Sequence, residues 1–130
     1  GEKTRVVLVA YADWRRAHSL SPDRLIRLAA ESGACGVLLD TAFKDVGLFQ
    51  LLTPAAVRDW VGAVHAAGLF AALAGSLRGP DFAAARRAGA ELVGVRGAAC
   101  VGGRTGRVSR ARVAALGALA RAPLPVVALV

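Results

Sequence analysis

Three times along this chain a helix-type segment ends in glycine and hands over to an apolar run: "AAESGACGVLL", "HAAGLFAALA" and "RRAGAELVGV". A join of that kind, repeated every few tens of residues, is the signature of βα units, and consecutive βα units form a parallel sheet through right-handed crossovers. Four strand-type runs are expected, at residues 5–11 ("RVVLVAY"), 36–40 ("GVLLD"), 69–75 ("LFAALAG") and 91–97 ("ELVGVRG"). Each is continuously apolar rather than alternating, which suits strands covered on both faces.

The segments between them carry helix punctuation. "SPDRLIRLAAESG" offers Ser21 as N-cap, Pro22 at the first helical position and Gly33 as the stop, with Leu25, Leu28 and Ala29 as the inward stripe. "TPAAVRDWVGAVHAAG" repeats this with Thr53, Pro54 and Gly68 around a stripe of Val57, Val61 and Val64. "GPDFAAARRAG" does so with Pro80 and Gly89, and "SRARVAALGALARA" supplies a fourth helix. The fold class is therefore α/β, either an open doubly wound sheet or part of a (β/α)₈ barrel. A dinucleotide site would need a glycine-rich fingerprint after the first strand, and "VAYADWRRAHS" has none.

A length of 130 residues fits one domain over residues 1–130, and 55% hydrophobic residues are ample for its core. Aromatics make up only 5%, so Ala, Val and Leu must fill the helix–sheet layers. No apolar run approaches the roughly 18 residues of a membrane helix. The chain opens on the polar "GEKTR" and has two cysteines, Cys35 and Cys100, which points to a cytoplasmic protein without a disulfide framework. Methionine is absent throughout, as expected of a processed or excised piece.

The net charge of +8 raises nucleic acid as a partner. The arginines are scattered over polar helix faces with no interleaved aromatics, so a solvated helix surface is the first reading and attraction of small anionic ligands the second, and neither nucleic acid nor membrane is expected.

In either α/β architecture, chemistry gathers where strands end at their carboxyl side. There "GVLLDTAFKDVG" closes an apolar run with Asp40 and follows one short turn later with Lys44. An acid and an amine held at a sheet mouth can exchange a proton. Lys3 and Lys44 are the only lysines among 17 basic residues, the rest being arginine, so an ammonium that can lose its proton has been kept at Lys44. The competing reading is a strand-end cap and a surface ion pair of little worth. Asp13, after "VAYA", is a third acidic candidate, with a simple loop cap as the equal alternative. Gly75 and Ser76 in "AGSLRGP", with Arg96, Gly97, Gly102, Gly103 and Arg104 in "GVRGAACVGGRTGR", read as a phosphate cradle, or as glycines that only shape turns. His18 and His65 lack metal-ligand spacing, and no histidine accompanies either cysteine as an activating base.

The stretches "VAYADW", "GVLLDTAFKD", "HAAGLFAALAGSL" and "ELVGVRGAAC", followed by "GGRTGRV", resemble the (5-formylfuran-3-yl)methyl phosphate synthases of methanofuran biosynthesis, in order and at similar spacing over residues 6–120. That resemblance implies a lyase similar to class I aldolases: a (β/α)₈ barrel that condenses two glyceraldehyde 3-phosphate molecules through a lysine imine, with no metal and no cofactor. It matches the four strands to strands 5–8, the C-terminal half, and leaves the family's imine-forming lysine in an absent first half. Asp40 and Lys44 then belong to the catalytic cluster, and Ser76, Arg96 and Gly97 to the phosphate side. The isolated chain is expected to be inactive and to self-associate or to pair with a first-half polypeptide. The tail "RAPLPVVALV", counted from residue 122 as an apolar extension, departs from the family ending. A non-catalytic phosphate-binding or assembly module, and another barrel enzyme acting on a phosphorylated sugar or aldehyde, stay open as alternatives.

Overall fold

The computed structural model describes residues 4–124. Four strands, β1 (Val7–Tyr11), β2 (Gly36–Asp40), β3 (Phe70–Leu73) and β4 (Leu92–Val93), form one parallel sheet in the order β1-β2-β3-β4. Val7 pairs with Gly36 and Gly36 with Phe70, so the first three strands start level; β4 joins through Ala72–Leu92 and Leu73–Val93. Helices α1 (Pro22–Ser32), α2 (Leu48–Leu51), α3 (Pro54–Ala66), α4 (Asp81–Arg87) and α5 (Arg110–Arg121) alternate with them, and a hairpin, β5 (Cys100–Val101) with β6 (Arg107–Val108), precedes α5.

The punctuation read from the sequence is in place. Ser21 accepts from the Arg24 N–H and Thr53 from the Ala56 N–H, each satisfying an orphan donor of the first turn, with Pro22 and Pro54 behind them. Gly33, Gly68 and Gly89 all adopt positive φ (76°, 76° and 89°), a left-handed conformation that a side chain would disfavour. The shorter α4 departs from the pattern: Pro80 caps it without a side-chain hydrogen bond, and Asp81 instead accepts from the Arg78 N–H at 2.8 Å.

Expectations of three kinds need correction: a helix stripe, two strand ends and the layers. On α1 the buried residues are Leu25, Ile26 and Ala29, whereas Leu28 is 42% exposed. The stripe is rotated by one position, because the helix docks through Ile26. Next, the strand expected at 69–75 ends at Leu73, since Gly75 at φ 113° breaks the extended backbone. The strand expected at 91–97 pairs only at Leu92–Val93; beyond Gly94, whose N–H still reaches Leu73 O at 2.8 Å, Arg96 turns the chain into a short 3₁₀ turn at Gly97–Ala99.

The third correction concerns the layers. Ala10, Val37, Leu39, Ala71 and Leu73 point to one side of the sheet and pack with Leu25, Ile26, Val57, Trp60, Val61 and Val64 of the helices. Each fully buried Val, Leu or Ile among them contributes about 1.5–3 kcal/mol. On the opposite side Val7 and Val9 are each 39% exposed and Leu92 is 57% exposed. Continuous apolar runs suggested two covered faces, but helices cover one. A strictly sequential strand order explains this: same-handed crossovers put every helix on one side, whereas a doubly wound sheet needs a reversal of order. No such reversal occurs among the described strands. Of the apolar tail, residues 125–130 lie outside the described residues.

Candidate active site

The carboxyl ends of β2, β3 and β4 open onto a cavity of about 600 Å³. Asp40, the last residue of β2, is positioned by the register of the sheet, opposite Tyr11. Its Oδ1 accepts the Thr41 N–H at 2.7 Å and the Lys44 ammonium at 2.9 Å. Lys44 Nζ also donates to Thr41 O at 2.5 Å, with Thr41 Oγ1 at 3.5 Å. The lysine therefore curls back over its own loop instead of extending into water. Its side chain is 33% exposed and that of Asp40 22%, so a ligand in the cavity can reach both.

The loop between them is held from both sides. Thr41 is 1% exposed, and Gly75 lies so close that an added Cβ would stand 3.0–3.2 Å from Thr41 atoms. Gly75 O accepts the Leu48 N–H at 3.0 Å, and Ser76 Oγ donates to Lys44 O at 3.3 Å. Ser76 has a positive φ of 50°, a conformation that residues other than glycine seldom adopt. On the β1 side, Asp13 accepts the N–H groups of Ala42 (2.8 Å) and Phe43 (3.0 Å). Burial, the largest single influence on Asp13, pushes its carboxyl pKa up. The backbone donors, chiefly Ala42 and Phe43, together with the Arg16 charge outweigh that and hold it below the usual 3.8. Asp45 is also lowered, first by its hydrogen bond to Arg16.

The far wall comes from the loop after β4, the hairpin and α5. Arg96 and Gly97 line it, as do Gly103 and Arg104. Gly97 abuts the Arg104 backbone, where a Cβ would stand 3.4 Å from the amide nitrogen. Two arginines that the sequence reading did not single out also line the cavity: Arg78 after β3, and Arg112 in the first turn of α5, whose guanidinium donates to Cys100 O at 2.8 Å. Arg78 was legible as the second residue after Ser76 in "AGSLRGP". Arg112 was not, because its approach depends on the hairpin folding back. In all, five cationic side chains face one carboxylate. In a cleft, such an excess concentrates anions.

Of the residues read from sequence, Asp40, Lys44, Gly75, Ser76, Arg96, Gly97, Gly103 and Arg104 line one cavity. Asp13 and Gly102 are not among the lining residues; Asp13 faces the Lys44 loop from behind, and Gly102 turns the hairpin at φ 88°. His65 pairs with Glu91 on the surface, Cys35 bonds through its thiol to Val6 O, and Cys100 is buried at the hairpin base. Among the described residues no three His, Cys, Asp or Glu side chains converge as a metal set would. No helix there is long and apolar enough to cross a membrane.

Comparison with known proteins gives the chain a family. The family described as 4-HFC-P synthase matches residues 1–117. A (5-formylfuran-3-yl)methyl phosphate synthase of Methanopyrus kandleri is 46% identical over 101 residues, 77% of this chain and 43% of that protein. The corresponding protein of Methanothermobacter thermautotrophicus is 42% identical over 108 residues, 81% of this chain and 46% of its own. A protein of Streptomyces griseus named as a putative member is 43% identical over 113 residues, covering 85% and 45%. The chain thus spans a little less than half the length of these relatives. With the family matched over nearly all of its described residues, the chain belongs to the 4-HFC-P synthases.

Proposed function

We propose that this chain supplies the Asp40–Lys44 side of a (5-formylfuran-3-yl)methyl phosphate synthase, a lyase condensing two glyceraldehyde 3-phosphate molecules for methanofuran biosynthesis in the cytoplasm. The observation that carries the reading is the 2.9 Å contact of Lys44 Nζ with Asp40 Oδ1 on the wall of a cavity lined by four further cations. The arginines draw in a phosphorylated aldehyde and hold its phosphate, with Gly75, Ser76, Arg96 and Gly97 nearest the anion. Lys44 relays protons at the reacting carbon or oxygen, and Asp40 orients the ammonium and takes up its charge. The 3.5 Å contact with Thr41 Oγ1 is the weakest of the three that Lys44 makes, and it is the one a substrate oxygen replaces.

In this reading the chemistry is that of a metal-independent class I aldolase, and the imine forms on a lysine outside this chain. The four strands are strands 5–8 of a (β/α)₈ barrel. The strict strand order and the uncovered face bearing Val7, Val9 and Leu92 support that assignment, since barrel closure would cover this face with the remaining strands. The same face favours association with a first-half polypeptide or with a second copy. A compact monomer in sedimentation at micromolar concentration would refute that association.

Borohydride trapping tests the chemistry. With glyceraldehyde 3-phosphate, the chain alone should give no reduced adduct and no furan product. Combined with the first half of the barrel it should give both, with the adduct on the other half. An adduct on Lys44 would make Lys44 the imine former and overturn its assignment as relay.

A further inference from the structure

The loop that carries Lys44 is tied down by groups outside the cavity. Asp13 stands two residues beyond β1, and its two carboxylate oxygens take the N–H groups of Ala42 and Phe43 at 2.8 and 3.0 Å. Three residues further on, Arg16 Nη1 donates to both oxygens of Asp45 at 2.8 and 3.0 Å. The Arg16 guanidinium carbon also sits 4.0 Å from the centroid of the Phe43 ring. Residues 42, 43 and 45, which flank the lysine, are thus all bound to the loop after β1. Lys44 alone turns the other way, to Asp40 and Thr41.

The geometry points to Asp13 and Arg16 as positioning residues for Lys44. Asp13 fixes the backbone from which the lysine side chain springs, and Arg16 backs it through Asp45 and Phe43. The inference rests on the reading of Lys44 as the proton relay, and it assigns Asp13 a place behind the reacting groups. Lysine has a flexible four-carbon stem, so an unpinned loop would let its amine sample positions that miss the substrate. The two clamps are unequal. The Arg16 and Asp45 side chains are 52% and 59% exposed, and a pair so exposed adds little to stability. Asp13 makes two charge-assisted bonds to backbone, which are roughly twice as strong as neutral ones. Replacing one of its oxygens with an amide NH₂ would set a donor against a donor.

Because Lys3 and Lys44 are the only lysines, ¹³Cε-lysine labelling of the protein gives two signals, with Lys3 as internal reference. The Lys44 signal should be displaced from that of Lys3 in the parent. In Asp13→Asn it should collapse towards Lys3, and in Arg16→Ala it should move part of the way, with Arg16→Lys restoring less than half. Should Asp13→Asn fail to fold, Asp13→Glu keeps the charge, shifts the carboxylate by one methylene and should move the signal likewise. In the enzyme completed with its first half, kcat should fall about 10–100-fold for Asp13→Asn and about 2–5-fold for Arg16→Ala, at unchanged KM, as expected for a misplaced reacting group. A purely structural role would lower the folded fraction and leave both the Lys44 signal and kcat per folded molecule untouched. That result, or a Lys44 signal coincident with Lys3 in the parent, overturns the inference. If the signal moves while Lys44→Ala leaves turnover intact, the clamp stands and the catalytic reading falls.

Discussion

The loop after β2 and the loop after β4 both deliver charged side chains to one cavity, but they are built differently. The first leaves a five-residue strand bonded on both edges, is packed against Gly75, and has its backbone amides taken by Asp13 and Asp40. The second leaves a two-residue strand and passes through a 3₁₀ turn into a hairpin whose Val101 and Val108 are 57% and 72% exposed. Fixed geometry surrounds the acid and the amine, where a fraction of an ångström would matter to the proposed proton transfer. The more exposed region carries Arg96 and Arg104, whose charges would attract an anion over a longer range. A site divided this way should respond differently to damage in its two parts.

The largest effect should come from the amine. In the completed enzyme, Lys44→Ala should lower kcat by about 10²–10⁴-fold, the usual worth of a general acid–base group. Lys44→Arg should fall nearly as far, because a guanidinium keeps the charge but stays protonated at any working pH. If arginine substitutes with kcat near parental and only KM raised, the lysine is an anchor for phosphate, and the two loops are alike in kind. Asp40→Asn should behave like Lys44→Arg. Near-parental kcat in both variants would reduce the pair to a surface ion pair.

Two glycines sharpen the contrast. A Cβ at Gly106 would stand 1.8 Å from Val101 O, so Gly106→Ala should open the hairpin and displace Arg104. Loss of one charge-assisted contact is worth about 1.5–3 kcal/mol, which predicts a KM for phosphorylated substrate raised about tenfold or more, with the thermal midpoint barely moved. A Cβ at Gly36 would meet the Phe70 ring at 2.7 Å within the paired sheet. Gly36→Ala should therefore destabilise the fold by about 1–3 kcal/mol, the typical cost of overpacking, seen as a lower denaturant midpoint with KM little changed. Equal loss of stability in both variants would mean that the hairpin is as integral to the fold as the sheet.

The same contrast marks where the sequence was legible. Around β1 to β3, local signals agree with one another: Ser21 and Thr53 cap, Gly33 and Gly68 stop, and apolar runs pair in register. Asp40 and Lys44 could be placed because a strand end and an i,i+4 spacing are local properties. The loop after β4 was misread as a longer strand, since "ELVGVRG" has strand composition but leaves the sheet after Gly94. Its course is set by the hairpin folding back through Ser109 N–H to Ala99 O, a contact that no local pattern announces. Arg112 was missed for the same reason, and the backbone bonds of Asp13 because they span 29 and 30 residues. One-sided coverage of the sheet follows from strand order, which composition does not encode.

The smallest effect concerns the clamp on the more tightly packed loop and is read as pH dependence. The Asp13 carboxyl is held below the ordinary value of 3.8 in the folded protein. Burial, the largest single influence, raises it, but the backbone N–H groups, chiefly of Ala42 and Phe43, together with the Arg16 charge outweigh that. A depressed folded pKa means that the unfolded chain binds the proton more tightly, so protonation favours unfolding. The contribution of Asp13 is therefore fully present above pH 3.8 and is lost as pH falls from there through the lower folded value. Denaturant midpoints measured from pH 6 downward should show the parent losing more stability than Asp13→Asn across that acid window, the two curves converging at the low end. Asp45 is lowered too, but its side chain and that of its Arg16 partner are mostly exposed. Asp45→Asn should accordingly track the parent in moderate salt, where screening removes most of what an exposed pair contributes. If Asp45→Asn flattens the acid limb as much as Asp13→Asn, the loop is held by its surface pair, and the backbone bonds to Asp13 are incidental.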